Sequence, residues 1–191
     1  MTDIEIGIGK SGRRAFGLQD VSIVPSRRTR DNEDVSIAWE IDAYRFEVPF
    51  LSAAMDSVTS PATAIALGRL GGLGILNLEG IWTRYDDPES LLDELAELDS
   101  AAALTRLREI YASPIREELI GKRIGEIKEA GVTAAAALTP HRTEKYYRAA
   151  VEAGIDILVV QSTVVSAQHV STQSTPLNLR TFIADIDTPV I

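Results

Sequence analysis

The sequence contains no cysteine and only two histidines in 191 residues. Without cysteine, these residues cannot form a disulfide, a thiolate metal site or a cysteine nucleophile. The two histidines, His141 and His169, are isolated from each other, and we expect no metal site. We expect helix-surface and loop roles for both histidines rather than catalysis.

Positive charge and long apolar runs are also scarce. The chain has 19 Lys and Arg against 28 Asp and Glu, a net charge of −9, so we expect no binding to the phosphate backbone of nucleic acids. No apolar run approaches the roughly 20 residues that span a bilayer. The first ten residues lack the basic region and apolar block of a signal peptide. We therefore expect a cytoplasmic protein without a membrane partner.

What is present is the composition of a globular domain. Hydrophobic residues make up 45% of the chain and charged residues 25%, which is the ordinary balance of a folded protein. A chain of this length buries roughly 70% of the surface that it exposes when unfolded. These values exclude disorder as the main state.

The pattern along the chain changes at Pro49. Residues 1–48 look irregular and are predicted as an N-terminal extension. After them, apolar runs alternate with helical segments. The predicted strands are residues 49–55, 73–77, 132–138 and 155–160, with a fifth strand opening at 189–191. The predicted helices are residues 62–70, 90–98, 115–130, 139–153 and 177–185.

Proline and glycine mark the ends of these elements. Pro61, Asp87-Pro88 and Ser113-Pro114 are typical of helix starts. Gly131 and Gly154 end two helices and lie 23 residues apart, a plausible length for a strand–helix unit. The glycines of 71–74 end a helix and enter a strand, which is the reverse of a dinucleotide-binding fingerprint, and we interpret them as a tight turn.

Alternating strands and helices with apolar strands predict a parallel sheet covered by helices. An open doubly wound sheet and a (βα)8 barrel both fit. In either fold, ligands bind at the carboxyl ends of the strands. Two segments lie there: residues 52–59 after the first strand, and Gln161-Ser162-Thr163 after the fourth.

Both segments have a functional and a structural interpretation. Residues 52–59 can form a binding loop; alternatively Ala53, Ala54 and Met55 fill the core, with Asp56 or Ser60 capping the next helix. Gln161, Ser162 and Thr163 can bind ligand hydroxyls, or they are a polar strand end that faces water.

Three sequence blocks resemble the IMP dehydrogenase/GMP reductase family. They are Gly-Leu-Gln-Asp-Val-Ser-Ile-Val-Pro at 17–25, Pro-Phe-Leu-Ser-Ala-Ala-Met-Asp-Ser-Val-Thr at 49–59, and the segment from Ala-Ile-Ala-Leu to Gly-Gly-Leu-Gly-Ile at 64–75. Their order and spacing match the family's over residues 17–77. The resemblance implies an α/β fold of the TIM (βα)8 barrel type, with residues 49–191 as its N-terminal half.

The resemblance also implies a ligand and its contacts. A purine nucleotide, IMP or GMP, is expected at the barrel mouth with NAD beside it, or NADP in a GMP reductase. Ala53 and Met55 would bind the nucleotide, with Met55 on the purine ring. Gln161, Ser162 and Thr163 would contact the cofactor, although Gln161 replaces an aspartate of the family, and Asn77 replaces a histidine.

The family's CBS modules have no room here, because about 50 helical residues separate the second and third strands. Its nucleophilic cysteine would lie beyond Ile191, so no catalytic residue is predicted in this chain. The resemblance implies an IMP dehydrogenase without CBS modules, a GMP reductase, or a non-catalytic nucleotide-binding relative, usually as a homotetramer. Made alone, residues 1–191 are expected to be inactive, and oligomeric or prone to aggregate.

Overall fold

The computed structural model of the chain describes residues 4–25, 27–162 and 177–191. They belong to two compact units, Met1–Ser36 and Ile37–Ile191. The first unit contains an antiparallel pair, β1 (Ile4–Gly7) and β2 (Lys10–Gly12). Two single turns of 3₁₀ helix follow, at Leu18–Asp20 and Asn32–Asp34.

The second unit is built on a parallel sheet. Its strands β5 (Ile75–Asn77), β6 (Ala135–Leu138) and β7 (Ile157–Val160) lie in chain order. Single parallel bridges extend both sides, from Leu51 to Leu73 and from Val190 to Leu158. An antiparallel hairpin of β3 (Trp39–Ile41) and β4 (Tyr44–Phe46) precedes the sheet.

Helices connect these strands. They are α1 (Pro61–Arg69), α2 (Pro88–Ala96), α3 (Ser100–Ala112), α4 (Glu117–Glu129), α5 (Pro140–Glu152) and α6 (Leu179–Asp185). Side-chain oxygens cap several N-termini, as in α1, where the Ser60 hydroxyl accepts the N–H of Thr63 at 3.0 Å. No helix among the described residues is long and apolar enough to cross a membrane.

Both faces of the sheet are buried, which explains why its strands show no polar alternation. One face packs against helices through Leu76, Ala136 and Leu158. The other face, which includes Ile75 and Ile157, packs against the β3–β4 hairpin through Phe46 and its neighbours. The predicted α/β class with a parallel sheet is therefore confirmed. A closed barrel is not formed by the described residues, and the half-barrel and the division at residue 48 stay predictions.

The predicted first strand at 49–55 is wrong beyond Leu51. The main chain pairs there through Leu73 N–H to Phe50 O at 2.9 Å and Ser52 N–H to Leu73 O at 3.0 Å. The next donor, Ile75 N–H, goes to the Ser52 hydroxyl instead of a main-chain carbonyl. The side chain thus ends the ladder, and residues 53–59 leave the sheet as a loop.

The helices between the second and third strands also differ from the prediction. Helix α3 was not predicted, and Ser113-Pro114 does not start α4, because Ser113 is the C-terminal cap of α3. Helix α4 begins four residues later, after Arg116 uses its N–H on the carbonyl of Thr83 at 2.9 Å. The bridge at Val190 supports the predicted fifth strand.

Candidate functional site

A polar cleft lies at the carboxyl edge of the parallel sheet. It has a volume of about 500 Å³, and we call it the polar cleft. Its lining residues are Ala54, Asn77, Glu79, Arg84, Tyr111, Ala137, Leu138, Thr139, Gln161 and Ser162. Gln161 and Ser162 are exposed there, directly after β7, and the N–H of Gln161 bonds the carbonyl of Leu138 at 3.0 Å. Thr163, the third residue predicted to bind the cofactor, lies outside the described residues.

A second cavity of about 550 Å³ lies between the 53–59 loop and the pair of helices α2 and α3. We call it the apolar cavity. It is lined by Ala54, Met55, Asp56, Ser57, Asn77, Ile81, Leu92, Leu95, Ala96, Ala103, Leu107 and Tyr111. An apolar wall with a few polar groups at one end is the usual composition of a small-molecule site.

Three of the five residues predicted to bind the nucleotide or the cofactor line two adjoining cavities. Met55 lines the apolar cavity, whereas Gln161 and Ser162 line the polar cleft. Ala54, Asn77 and Tyr111 line both. Met55 is 56% exposed in this chain, and its role in nucleotide binding stays a prediction. Ala53 is exposed but lines neither cavity.

The loop that carries Met55 is held from within by Thr59, which is fully buried. The Thr59 hydroxyl oxygen lies 2.6 Å from the carbonyl oxygen of Ala53 and 2.7 Å from the Ser52 hydroxyl. The carbonyl of Met55 accepts two main-chain N–H groups, from Val58 and Thr59, each at 2.9 Å. The backbone on both sides of Met55 is therefore fixed before any ligand binds.

Asp56 ties the same loop to the residues after β5. One oxygen of its carboxylate, Oδ2, accepts the N–H of Ile81 at 2.8 Å, and Oδ1 accepts the amide of Asn77 at 3.4 Å. The indole of Trp82 donates to the Asp56 carbonyl at 3.2 Å. Asp56 was one of two candidates for the cap of the next helix; the cap is Ser60, and the carboxylate serves this loop contact instead.

Tyr111 at the end of α3 completes this arrangement. Its hydroxyl donates to Oδ2 of Asp56, and the guanidinium of Arg84 lies 5.3 Å from its ring centroid. Burial and the neighbouring Asp56 carboxylate raise the pKa of the Tyr111 phenol well above its ordinary value. The phenol therefore stays protonated near neutral pH and acts as a hydrogen-bond donor to Asp56.

Glu79 and Arg84 organise the wall of the polar cleft. The Glu79 carboxylate accepts the N–H of Thr139, which joins the residues after β5 to those after β6. Arg84 donates to the carbonyl of Glu79 at 2.9 and 3.2 Å and to the carbonyl of Ser113. Glu79 thus joins the ends of two neighbouring strands at the cleft, and Arg84 joins the residues after β5 to the end of α3.

Sequence reasoning missed Tyr111, Arg84 and the role of Asp56. Tyr111 lies on the helix that was not predicted, 55 residues after its partner, and no local pattern signals such a contact. The described residues contain no cluster of three His, Asp or Glu that could hold a metal ion.

Comparisons with known proteins show the family of the chain. A family model described as the IMP dehydrogenase / GMP reductase domain matches residues 15–181. Uncharacterized oxidoreductases of Mycolicibacterium smegmatis and Mycobacterium tuberculosis are 45% and 46% identical over 98% of the chain. The chain spans 52% of each of these curated relatives, about half their length.

Two further matches bear the family's name. An inosine-5'-monophosphate dehydrogenase of Helicobacter pylori is 44% identical over 66 residues, which are 34% of the chain and 14% of that protein. The crystal structure of an IMP dehydrogenase/GMP reductase-like protein from Corynebacterium glutamicum superposes with a TM-score of 0.88 at 40% identity. That match covers 98% of this chain and 50% of the other.

Proposed function

Because the chain belongs to the IMP dehydrogenase/GMP reductase family, we propose that it forms the nucleotide-facing half of a (βα)8-barrel oxidoreductase. The reaction that we propose for the full-length protein is the oxidation of IMP by NAD and water to XMP, NADH and a proton. One observation carries this proposal: the loop of Met55 and the loop of Gln161 and Ser162 line adjoining cavities at one edge of the sheet.

The apolar cavity suits the purine base of the nucleotide. A thioether and leucine side chains provide a polarisable, flat-sided apolar surface for an aromatic ring. Met55 and Leu107 supply such a surface here, and the cavity volume of about 550 Å³ is in the range of ligand sites. Met55 thus holds the base by contact, while Thr59 and Asp56 keep its backbone in place.

The polar cleft suits the dinucleotide. Gln161 and Ser162 are exposed side chains that can both donate and accept hydrogen bonds, as ribose hydroxyls and a carboxamide require. NAD, when bound, accepts the hydride that leaves C2 of the purine. Met55 would hold the base and Gln161 and Ser162 the dinucleotide, and Ala54 and Asn77 line both cavities.

The covalent step belongs to the family's cysteine, for which this chain has no equivalent. In the proposed reaction a thiolate adds to C2 of IMP, hydride departs to NAD, and water then releases XMP and regenerates the thiol. A homotetramer in the cytoplasm is part of the same proposal, with no nucleic-acid or membrane partner.

The experiment is an assay of the full-length protein with two substrate pairs. IMP with NAD is followed by NADH absorbance and by chromatography of XMP; GMP with NADPH is followed by the loss of NADPH and the formation of IMP. XMP formation supports the proposal, whereas IMP formation from GMP assigns the GMP reductase reaction. Nucleotide binding without turnover of either pair would make the protein a non-catalytic relative.

A further inference from the structure

The helices α2 and α3 lie over the loop that carries Met55. Tyr111, on α3, donates a hydrogen bond to Asp56 in that loop. We propose that Tyr111 is a positioning residue for nucleotide binding, which acts on Met55 through Asp56. This inference rests on the proposed function, because it concerns the same nucleotide loop. It assigns to the helix pair a role in the site rather than in packing alone.

The first step is the geometry of the contact. Asp56 follows Met55 directly, and its Oδ2 accepts from two donors, the Ile81 N–H at 2.8 Å and the Tyr111 hydroxyl. A carboxylate held by two donors has a fixed orientation. Removing the phenol leaves Asp56 attached through the residues after β5 and detached from α3. The backbone next to Met55 then loses one of its fixed points.

The second step is that Tyr111 is itself held in place. The Arg84 guanidinium lies 5.3 Å from its ring centroid and is fixed in turn by the carbonyls of Glu79 and Ser113. Tyr111 is 42% exposed and lies outside the core clusters, so core packing does not set its position. Its position is set by polar contacts, as expected for a residue that orients a site.

The third step is that Tyr111 lines both cavities. A change in its position alters the wall of the nucleotide cavity and of the polar cleft together. The expected consequence is a weaker nucleotide complex with a largely intact fold, because the core clusters of the sheet do not include Tyr111.

Tyr85 offers a matched control. Its hydroxyl also anchors the end of α3, by donating to the carbonyl of Ile110 at 3.0 Å and by bonding the Ser113 hydroxyl at 2.6 Å. Tyr85 lines neither cavity, and its hydroxyl bonds the end of α3, outside residues 52–59. Tyr85→Phe therefore removes one hydroxyl that bonds the same end of α3 and leaves the contacts of the nucleotide loop in place.

The experiment compares Tyr111→Phe with Tyr85→Phe in the full-length protein. We expect Tyr111→Phe to raise the nucleotide KM and the calorimetric Kd about tenfold, the loss of one hydrogen bond to a charged group. The kcat should change less than twofold. Tyr85→Phe should leave KM and Kd unchanged. The two variants should lower Tm by similar amounts, because each removes one hydroxyl contact with the end of α3. Equal effects of both variants on KM, or an effect of Tyr111→Phe on Tm alone, would overturn the proposal.

A second readout does not depend on turnover. With ¹³C-methyl-labelled methionine, the Met55 signal is assigned by its loss in Met55→Leu and is recorded without nucleotide. We expect Tyr111→Phe to shift or broaden this signal, and Tyr85→Phe to leave it unchanged. If the wild-type protein binds neither IMP nor GMP, the proposed function fails, while this signal still decides whether Tyr111 positions Met55. An unchanged Met55 signal in Tyr111→Phe would contradict the coupling.

Discussion

The main-chain N–H of Ile81 donates a 2.8 Å hydrogen bond to the carboxylate of Asp56. This bond joins the loop of residues 53–59, which carries Met55, to the residues after β5. Two neighbouring loops at the carboxyl edge are thus one structural piece, and the position of Met55 depends on both. A ligand site made of such paired loops is preorganised, which lowers the ordering cost of binding.

Gly80 permits this contact. A β-carbon at position 80 would overlap the carboxylate of Asp56, although the backbone of Gly80 has an ordinary extended conformation. We therefore expect Gly80→Ala to displace Asp56 and to raise the nucleotide KM of the full-length protein about tenfold or more, since small misplacements at a site are costly. Steady-state kinetics with varied nucleotide measure this effect.

Gly125 is the matched control for that substitution. A β-carbon there meets no atom within 4 Å, and the residue lies inside α4. Gly125→Ala should leave KM unchanged and stabilise the protein by about 0.5–1 kcal/mol, because alanine loses less backbone entropy in a helix. If Gly80→Ala leaves the nucleotide KM unchanged, as Gly125→Ala should, the close approach of Gly80 and Asp56 does not contribute to nucleotide binding.

Much of the parallel fold could be predicted from local pattern. The runs that become β5, β6 and β7 are apolar except for Asn77 at the end of β5, and Pro61 and Gly131 mark helix ends by their backbone preferences alone. The first predicted strand failed beyond Leu51 because the Ser52 side chain takes a donor of the ladder. The β3–β4 hairpin was missed because each of its strands, Trp-Glu-Ile and Tyr-Arg-Phe, has a charged residue in the middle and forms no apolar run.

The site was predictable only where it follows strand ends. Gln161 comes directly after β7 and Met55 lies in the loop that follows the bridge at Leu51, so their place at the carboxyl edge of the sheet follows from chain direction. Tyr111 lies 55 residues from Asp56 along the chain, on a helix of low amphipathic contrast. Such a contact is set by how α3 packs, and no spacing in the sequence encodes it.

Met55→Ala separates binding from stability. Because the Met55 side chain is 56% exposed, its truncation creates no buried void and should change Tm little. Loss of its contact with the base should raise the nucleotide KM several-fold. Thermal unfolding and steady-state kinetics of the full-length variant give both values.

Leu76→Ala is the reference for a true core position. Leu76 is fully buried in the helix-facing cluster, and its truncation should cost about 2–5 kcal/mol. A fall in stability of that size for Met55→Ala, together with unchanged nucleotide affinity, would return Met55 to the core.

Arg123, on α4, binds carbonyl groups of the segment between β5 and α2. It is 6% exposed and donates to the carbonyls of Trp82 at 3.0 Å and Asp86 at 2.9 Å, and to the Glu126 carboxylate at 2.8 Å. Arg123→Ala removes a buried guanidinium and leaves the buried Trp82 carbonyl without this donor, and we expect a loss of about 3 kcal/mol of stability. Urea unfolding measures it.

Arg106 provides the comparison for this effect. It pairs with Glu94 at 2.7 Å and Glu109 at 3.0 Å on an exposed surface, where ion pairs contribute little. Arg106→Ala should therefore change stability far less than Arg123→Ala. Similar losses for the two variants would show that the buried carbonyl contacts of Arg123 are not what stabilises this segment.

Tyr44 connects the β3–β4 hairpin to the amino edge of the sheet. Its hydroxyl donates to Oδ1 of Asp156 at 3.2 Å, and Asp156 also accepts from Lys128 at 2.6 Å and from the N–H of Ala134 at 2.8 Å. Burial and the Asp156 carboxylate raise the pKa of the Tyr44 phenol above its usual range. This cluster lies at the edge opposite to the cavities, where we expect an effect on stability and none on binding.

The pH dependence of Tyr44→Phe tests that assignment. Because folding raises the pKa of this phenol, its stabilising contribution is complete below the unfolded value of about 10 and is lost as pH rises through the folded value. We expect Tyr44→Phe to lower Tm at pH 7, with a difference from wild type that shrinks above pH 10 and with an unchanged nucleotide KM. Difference absorbance at 295 nm should show that the phenol missing from the variant ionises later than an ordinary tyrosine. Ionisation at its ordinary pH, or a Tm difference that persists unchanged into strong alkali, would mean that the bond to Asp156 contributes nothing to stability.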